Sequence, residues 1–229
     1  MRTTFEEQLN SLHLRFSEMG MMASEAIMKS VKAYVEHDKA LAKEVINNDH
    51  IINKREVDLE KESFEMIALQ QPVTSDLRMI VTVLKASSDL ERMGDHAVSI
   101  AQETIRLKGE TRIPEIEKLI AEMGDMTTSI VEDSLEAYLK RDSKMAEEVA
   151  SRDVKVHYIS EKINKSCIED MEKTSENVLS GTSYMLVDSY LERAGDYATN
   201  ICEWVVYLNT AHVVELNQKH IADENYPKS

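Results

Sequence analysis

Glu91-Arg92-Met93-Gly94-Asp95 recurs near the other end of the chain as Glu192-Arg193-Ala194-Gly195-Asp196. Each copy sits inside a helical pattern. Ala86, Leu90, Met93, Ala97, Ile100 and Leu107 fall on one stripe around the first, and Val187, Leu191, Ala194, Ala198, Ile201, Val205 and Leu208 on one stripe around the second. Those stripes face a core. The two acids of each copy are four residues apart and share a face one step round from the stripe, with a glycine between them on that face.

The repetition extends outward from the motif. A shift of 104 places Glu18-Met19-Gly20 on Glu122-Met123-Gly124, Ala33-Tyr34 on Ala137-Tyr138, Asp38 on Asp142, Glu44-Val45 on Glu148-Val149 and Asp49 on Asp153. At the opening motif the offset is 101 (192 minus 91), so the second copy lacks three residues between its second and third helices. Each half reads as three helices. In the first they span about 5–36, 39–69 and a stretch from the Gln71-Pro72-Val73-Thr74-Ser75 break to Leu107, with Asp38 capping the second and Thr74 or Ser75 the third. In the second they span about 114–140, 143–174 and 182–210, with Pro114 in the first turn, Asp142 as a cap and Ser180-Gly181-Thr182 as the later break. The expected architecture is all-α: two tandem, similar three-helix bundles built from six long helices. The first unit covers 1–108, a linker 109–113, the second unit 114–211 and a polar C-terminal tail 212–229, which reads as frayed from Glu215 onward.

Composition agrees. The 229 residues contain only 6 glycines and 3 prolines, and aromatics are 5%, which favours long helices over a sheet protein. A formal charge of −15 disfavours nucleic acid and anionic lipid by general electrostatics and favours cations or basic protein surfaces; it is also what keeps a helical surface solvated. Cys167 and Cys202 have no CxxC spacing, which suits a reducing compartment and core packing. The first ten residues carry Glu6 and Glu7 and no apolar run, and no stretch approaches a membrane span, so the expectation is a cytoplasmic protein that reaches membranes only through protein partners.

The chemistry lies in the acids. The first half offers Glu91 and Asp95; the second offers Asp188, Glu192, Asp196 and Asn200 at four-residue spacing. Parallel oxygen ligands of this kind suit hard cations. The second helix of each half supplies a further set, Asp49 with Asn53 and Asp153 with His157, which could face the first across a groove if the helices are antiparallel. Gly94 and Gly195 would let an ion or a neighbouring backbone come close, a use for mid-helix glycine that offsets its cost of about 1 kcal/mol. Arg92 and Arg193 allow another reading, an ordinary surface ion-pair patch of little energetic weight. Against that patch, acids four apart repel along a helix.

Other features are less directed. His96 aligns with Tyr197 and reads as a packing or groove residue, whereas His157 takes the place of Asn53. Met19, Met21, Met22 and Met28, echoed by Met123 and Met126, either fill the core or form an adaptable contact surface. Trp204 is assigned to packing. There is no glycine-rich phosphate loop, no ExxH pair of a di-iron bundle and no spacing that suggests a Ser-His-Asp or activated-cysteine arrangement, so no catalytic residue is nominated and the chain is read as a non-enzyme without organic cofactor.

Gln71-Pro72-Val73-Thr74-Ser75-Asp76-Leu77-Arg78, Ser88-Asp89-Leu90-Glu91-Arg92-Met93-Gly94-Asp95-His96-Ala97 and Leu191-Glu192-Arg193-Ala194-Gly195-Asp196-Tyr197-Ala198 together resemble the PhoU family. The resemblance covers nearly the whole chain. It implies a non-enzymatic accessory protein of the high-affinity phosphate transport system, which restrains phosphate uptake and mutes the phosphate-starvation response through the transporter's ATPase subunit and a sensor histidine kinase, commonly as a homodimer. It also implies metal ions or multinuclear iron clusters on paired E/DxxxD motifs, which here fall on Glu91 with Asp95 and Glu192 with Asp196, joined by Asp49 and Asp153. Asn53 and His157 stand where the family pattern has an acid. Each removes an anionic bridging oxygen, and His157 shifts the preference toward iron or zinc over magnesium or manganese. The other reading carried forward is a metal-binding or metal-buffering bundle in which partner binding is secondary.

Overall fold

A computed structural model describes residues 2–107 and 109–216, with side chains from residue 5 onward. The helices are α1 (Arg2–Glu36), α2 (Lys39–Gln70), α3 (Thr74–Arg106), α4 (Pro114–Lys140), α5 (Ser143–Ala150), α6 (Asp153–Lys173) and α7 (Val178–Thr210), with a 3-10 turn at Ser175–Asn177. Among the described residues there is no strand. Helices α1, α2 and α3 pack together, as do α4, α5–α6 and α7, so the tandem three-helix plan holds.

The repeat is visible in the ends of its elements. α1 and α4 both finish on a left-handed residue, His37 (φ 57) and Arg141 (φ 51), which the 104 shift superimposes. The chain then turns into an aspartate cap. Asp38 accepts from the N–H groups of Ala40 and Leu41 (2.8 and 3.0 Å), and Asp142 from those of Lys144 and Met145 (3.0 and 3.1 Å), satisfying donors that the first helical turn leaves without partners.

Four local expectations are corrected. The fifth helix is not continuous to 174. It steps at Ser151-Arg152, where Arg152 pairs with Asp133 of α4 and the Ser151 hydroxyl turns back to Glu148, so that Asp153 opens a new helix. Ser180-Gly181-Thr182 does not break the chain; α7 starts at Val178 and runs through it. The Ser180 hydroxyl donates to Thr111 and that of Thr182 to Val178, while a methyl added to Gly181 would lie 2.8 Å from Met171 Cγ, so this glycine serves close packing. At the head of α3 the cap position is Val73 without a side-chain bond, and Thr74 (φ 49) does not cap. Beyond α7, Leu216 is packed against the core and its N–H donates to Glu203 (2.7 Å), so Glu215-Leu216 is not frayed; residues 217–229 lie outside the described residues.

The halves meet through α1 against α4 and α3 against α7, on one continuous core. A methyl added to Gly20 would lie 2.4 Å from a Leu135 methyl, and one added to Gly124 would lie 2.6 Å from a Val31 methyl. Gly124 is the repeat mate of Gly20 and Leu135 that of Val31, so one close approach is made twice about a local pseudo-twofold axis. On the α3–α7 side, His96 and its mate Tyr197 stack on each other (centroids 5.7 Å apart, planes at 14°), with Tyr190 on His96 as well. The packing role expected of His96 is therefore met at the axis.

Buried polar groups fasten the linker end. Glu103 is held bidentately by Arg106 and accepts from Ser183 (2.7 Å), which lies 3.0 Å from the Tyr34 hydroxyl. Glu117 is bound by Arg112, His37 and Tyr184, and Tyr184 accepts from the N–H of Ile113. Burial alone would raise the Glu117 carboxyl, yet these bonds, that of Arg112 foremost, hold it below the ordinary glutamate value.

Candidate metal centres on the paired acidic motifs

In the first half, mid-helix residues of α2 face the motif on α3. Gly94 is buried, and a methyl there would stand 3.5 Å from Asp49 Oδ1 and 3.3 Å from Ile52 Cδ1. Asn53 donates to Asp49 Oδ2 (2.8 Å), while Asp49 Oδ1 and Asn53 Oδ1 are buried with no hydrogen bond. Such oxygens carry the full desolvation cost of an unmet acceptor. Burial raises Asp49 above the ordinary aspartate range and Asp95 raises it further, against the Asn53 bond. Glu91 is raised by burial, then by Asp95, Glu56 and Asp49. Four carboxylates thus act on one another, with Arg92 set against Glu91 and His50 against Asp49.

The second half repeats the frame with different occupants. Asp153 is 5% exposed, and its Oδ1 lies 3.0 Å from where a methyl on Gly195 would stand. It occupies the first turn of α6, where helix N–H groups favour a negative charge, whereas Asp49 sits in the interior of α2. His157 lies 3.0 Å from Glu192 through Nδ1 and 3.7 Å from Glu161 through Nε2. Because a carboxylate only accepts, Nδ1 carries the hydrogen toward Glu192.

The acid ladder of the last helix does not act as one row. Four residues overshoot a helical turn by roughly 40°, so positions three steps apart diverge by roughly 120°. Glu192 and Asp196 stay with the motif. Asp188 turns into a buried pocket, where its Oδ2 accepts from Ser160 (2.9 Å) and Asn164 (2.8 Å), its Oδ1 has no partner, and burial pushes its carboxyl up to about 6. Asn200 reaches across the halves to Asp89 (3.4 Å), whose carboxyl burial likewise pushes to about 6.

Sequence reading missed Glu56, although it lies at i+7 from Asp49, and missed Ser160 and Asn164, the repeat mates of Glu56 and Glu60. Burial pushes both cysteine thiols up to about 12, which makes them packing groups. Trp204, expected only to pack, is half-buried on the wall of a groove described below.

Among the described residues no three His, Cys, Asp or Glu side chains converge as the ligand set of one ion. The two halves offer a metal different donors. The first has an all-oxygen set with two unsatisfied buried oxygens beside a bare glycine, the condition a hard cation relieves, and the second also has the buried Asp188 Oδ1 without a hydrogen bond. In the second, His157 is already engaged by Glu192, and Asp188 by Ser160 and Asn164.

A family model described as the PhoU domain matches the chain twice, over residues 16–104 and 120–205, each match containing one paired motif. The chain belongs to the PhoU family. It is 39% identical over 217 residues to the phosphate-specific transport system accessory protein PhoU homolog of Clostridium acetobutylicum, covering 94% of this chain and 99% of that one. The Streptococcus pneumoniae homolog of the same description is 35% identical over 217 residues, covering 95% and 100%. Among solved structures, the phosphate transport system regulatory protein PhoU from Streptococcus pneumoniae superposes with a TM-score of 0.86 at 33% identity, covering 92% and 99% of the two chains. PhoU from Pseudomonas aeruginosa also gives 0.86, at 28% identity over 91% and 100%. The PhoU fold therefore accounts for both halves.

Proposed function

We propose that this chain is a non-enzymatic regulator of phosphate uptake and a negative regulator of the phosphate-starvation response. It works in the cytoplasm as a homodimer, through the ATPase subunit of a phosphate ABC transporter and a sensor histidine kinase. The observation that carries this reading is the end-to-end match to proteins described as phosphate-transport accessory proteins, with both repeats and both acidic motifs present. Among the described residues no helix is long and apolar enough to cross a membrane, and the reading places the chain at the membrane through its protein partners.

Cations belong to the same proposal. Asp49, Asn53, Glu91 and Asp95 would hold one centre, and Asp153, His157, Glu192 and Asp196 the other, with Asp188 beside it. A bound ion supplies positive charge between two helices. The side chains draw α2 to α3 and α6 to α7, fixing the surface offered to a partner. Iron or zinc suits the centre with His157, and magnesium or manganese suits the oxygen set of the first half.

A phosphate-starvation reporter in a deletion strain tests the function. Constitutive expression restored to phosphate control by the wild-type chain supports the regulator. Normal control with altered metal tolerance supports the second reading, a metal-buffering bundle, which the clustered acids of the first half favour.

A further inference from the structure

A groove of about 610 Å³ runs between α2, α3 and α7, where the two halves meet. Glu56, Glu60 and Phe64 on α2 and Asn200, Glu203, Trp204 and Tyr207 on α7 mark its length, about two helical turns or roughly 12 Å. Its aromatic surface is open, since Phe64 is 54% exposed. Trp204 and Tyr207 meet edge to face (5.7 Å). The polar lining is four carboxylates, Glu56, Glu60, Asp89 and Glu203, against Lys85 and Arg92. Glu203 also receives the Leu216 N–H. Asp89 is 8% exposed; it accepts a long hydrogen bond from Asn200, and Arg92 and Lys85 act on it from the groove wall without a direct bond among the described residues.

The repeat shows which part of the lining is particular to this groove. At the mates of Asp89, Trp204 and Tyr207 stand Tyr190, Glu103 and Arg106. There the tyrosine stacks on His96, and the arginine closes on the acid, which also accepts from Ser183. A groove of about 560 Å³ also runs on that side past Ser160, Asn164 and Ile168, the mates of Glu56, Glu60 and Phe64, so what sets the two apart is the aromatic lining of the first.

We infer that this groove is a docking site for an arginine-bearing helical segment of a partner protein, its guanidinium over Trp204 and Tyr207 and hydrogen-bonded to Asp89. Charge complementarity selects the occupant: a chain of −15 presents carboxylates beside aromatic faces, and a planar guanidinium both stacks on the rings and bonds an acid bidentately. Arg92, 5.8 Å from the Tyr197 centroid, already makes the same kind of contact nearby. The inference is independent of the phosphate reading.

Trp204 is the only tryptophan, so tryptophan emission, excited at wavelengths the eight tyrosines do not absorb, reports this groove. The full chain is titrated with a capped helical peptide carrying two arginines four residues apart and leucines on the same face. The expected result is a saturable emission change that weakens at least fivefold with citrulline in place of arginine, with Asp89→Asn and with Phe64→Ala. Equal binding of the citrulline peptide, or unchanged binding by the variants, would overturn the site. Spermidine displacing the peptide at equal concentration would overturn a protein occupant in favour of a free polycation. Should Asp89→Asn disturb folding by circular dichroism, the surface change Phe64→Ala decides the question.

Discussion

The two acidic centres share a backbone frame and differ in what neutralises them. In the first half, Asp49 lies inside a helix, Asn53 spends its amide on it, and Glu56, Glu91 and Asp95 add like charge. In the second, the matching acid Asp153 opens a helix, His157 holds Glu192, and the position of Glu56 is taken by Ser160, which donates to Asp188. An acid has in effect moved from the second helix to the third, since the mate of Asp188 is Ser87. Geometry is kept by the repeat, while the hydrogen-bond donors set against the acids differ: Asn53 in the first half, and His157, Ser160 and Asn164 in the second. Under the proposed metal binding, the all-oxygen first centre is the one expected to hold the larger share of a hard cation.

The frame itself is the first place to break the comparison. Gly124→Val puts branched carbons where even a methyl lies 2.6 Å from Val31, and overpacking of a tight site costs about 1–3 kcal/mol or more. Thermal melting should show a loss of at least several degrees, and both centres should weaken together because the halves shift on each other.

Next is Asp188. Its folded value near 6 stands above its ordinary 3.8, so the fold holds its proton more tightly than the unfolded chain does. That contribution is fully present below about 3.8 and is lost as pH rises through about 6. In metal-free protein, Asp188→Asn should raise stability at pH 7 by about 1–3 kcal/mol, a gain that shrinks below pH 6 and vanishes below about pH 4. Denaturant titrations across that range check it, and a gain independent of pH would contradict the assignment.

The smallest effect separates the motif glycines. Alanine gains about 1 kcal/mol of helix propensity at either position. At Gly94 the nearest obstacle is the end of Ile52, 3.3 Å away, which can turn aside; at Gly195 it is the buried Asp153 oxygen at 3.0 Å. Gly94→Ala should be neutral or mildly stabilising and Gly195→Ala destabilising by about 1 kcal/mol, read from paired melts. Equal responses would mean that the two centres are not packed differently.

Much of this was legible in the sequence because a repeat reports its own constraints. The offset of 104 located the Asp38 and Asp142 caps, and the conditional reading that antiparallel helices would set Asp49 and Asp153 across from the motifs is met where they lie against Gly94 and Gly195. Breaks were harder. Ser180-Gly181-Thr182 has the composition of a turn, but its hydroxyls bond within reach and its glycine admits Met171. Periodicity also overstated the acid row. It records that Asp188, Glu192, Asp196 and Asn200 recur every four residues and not the rotation that sends the first and last to other neighbours. The groove at Trp204 lay beyond any reading of one helix, since its walls come from both halves.

Elemental analysis of protein purified without chelators, for the wild type and two double variants, tests the contrast most directly. Wild type should carry metal. Glu91→Ala with Asp95→Ala should remove the larger share, and Glu192→Ala with Asp196→Ala the smaller. Metal-free wild type, or metal content untouched by the first pair of substitutions, would contradict the account.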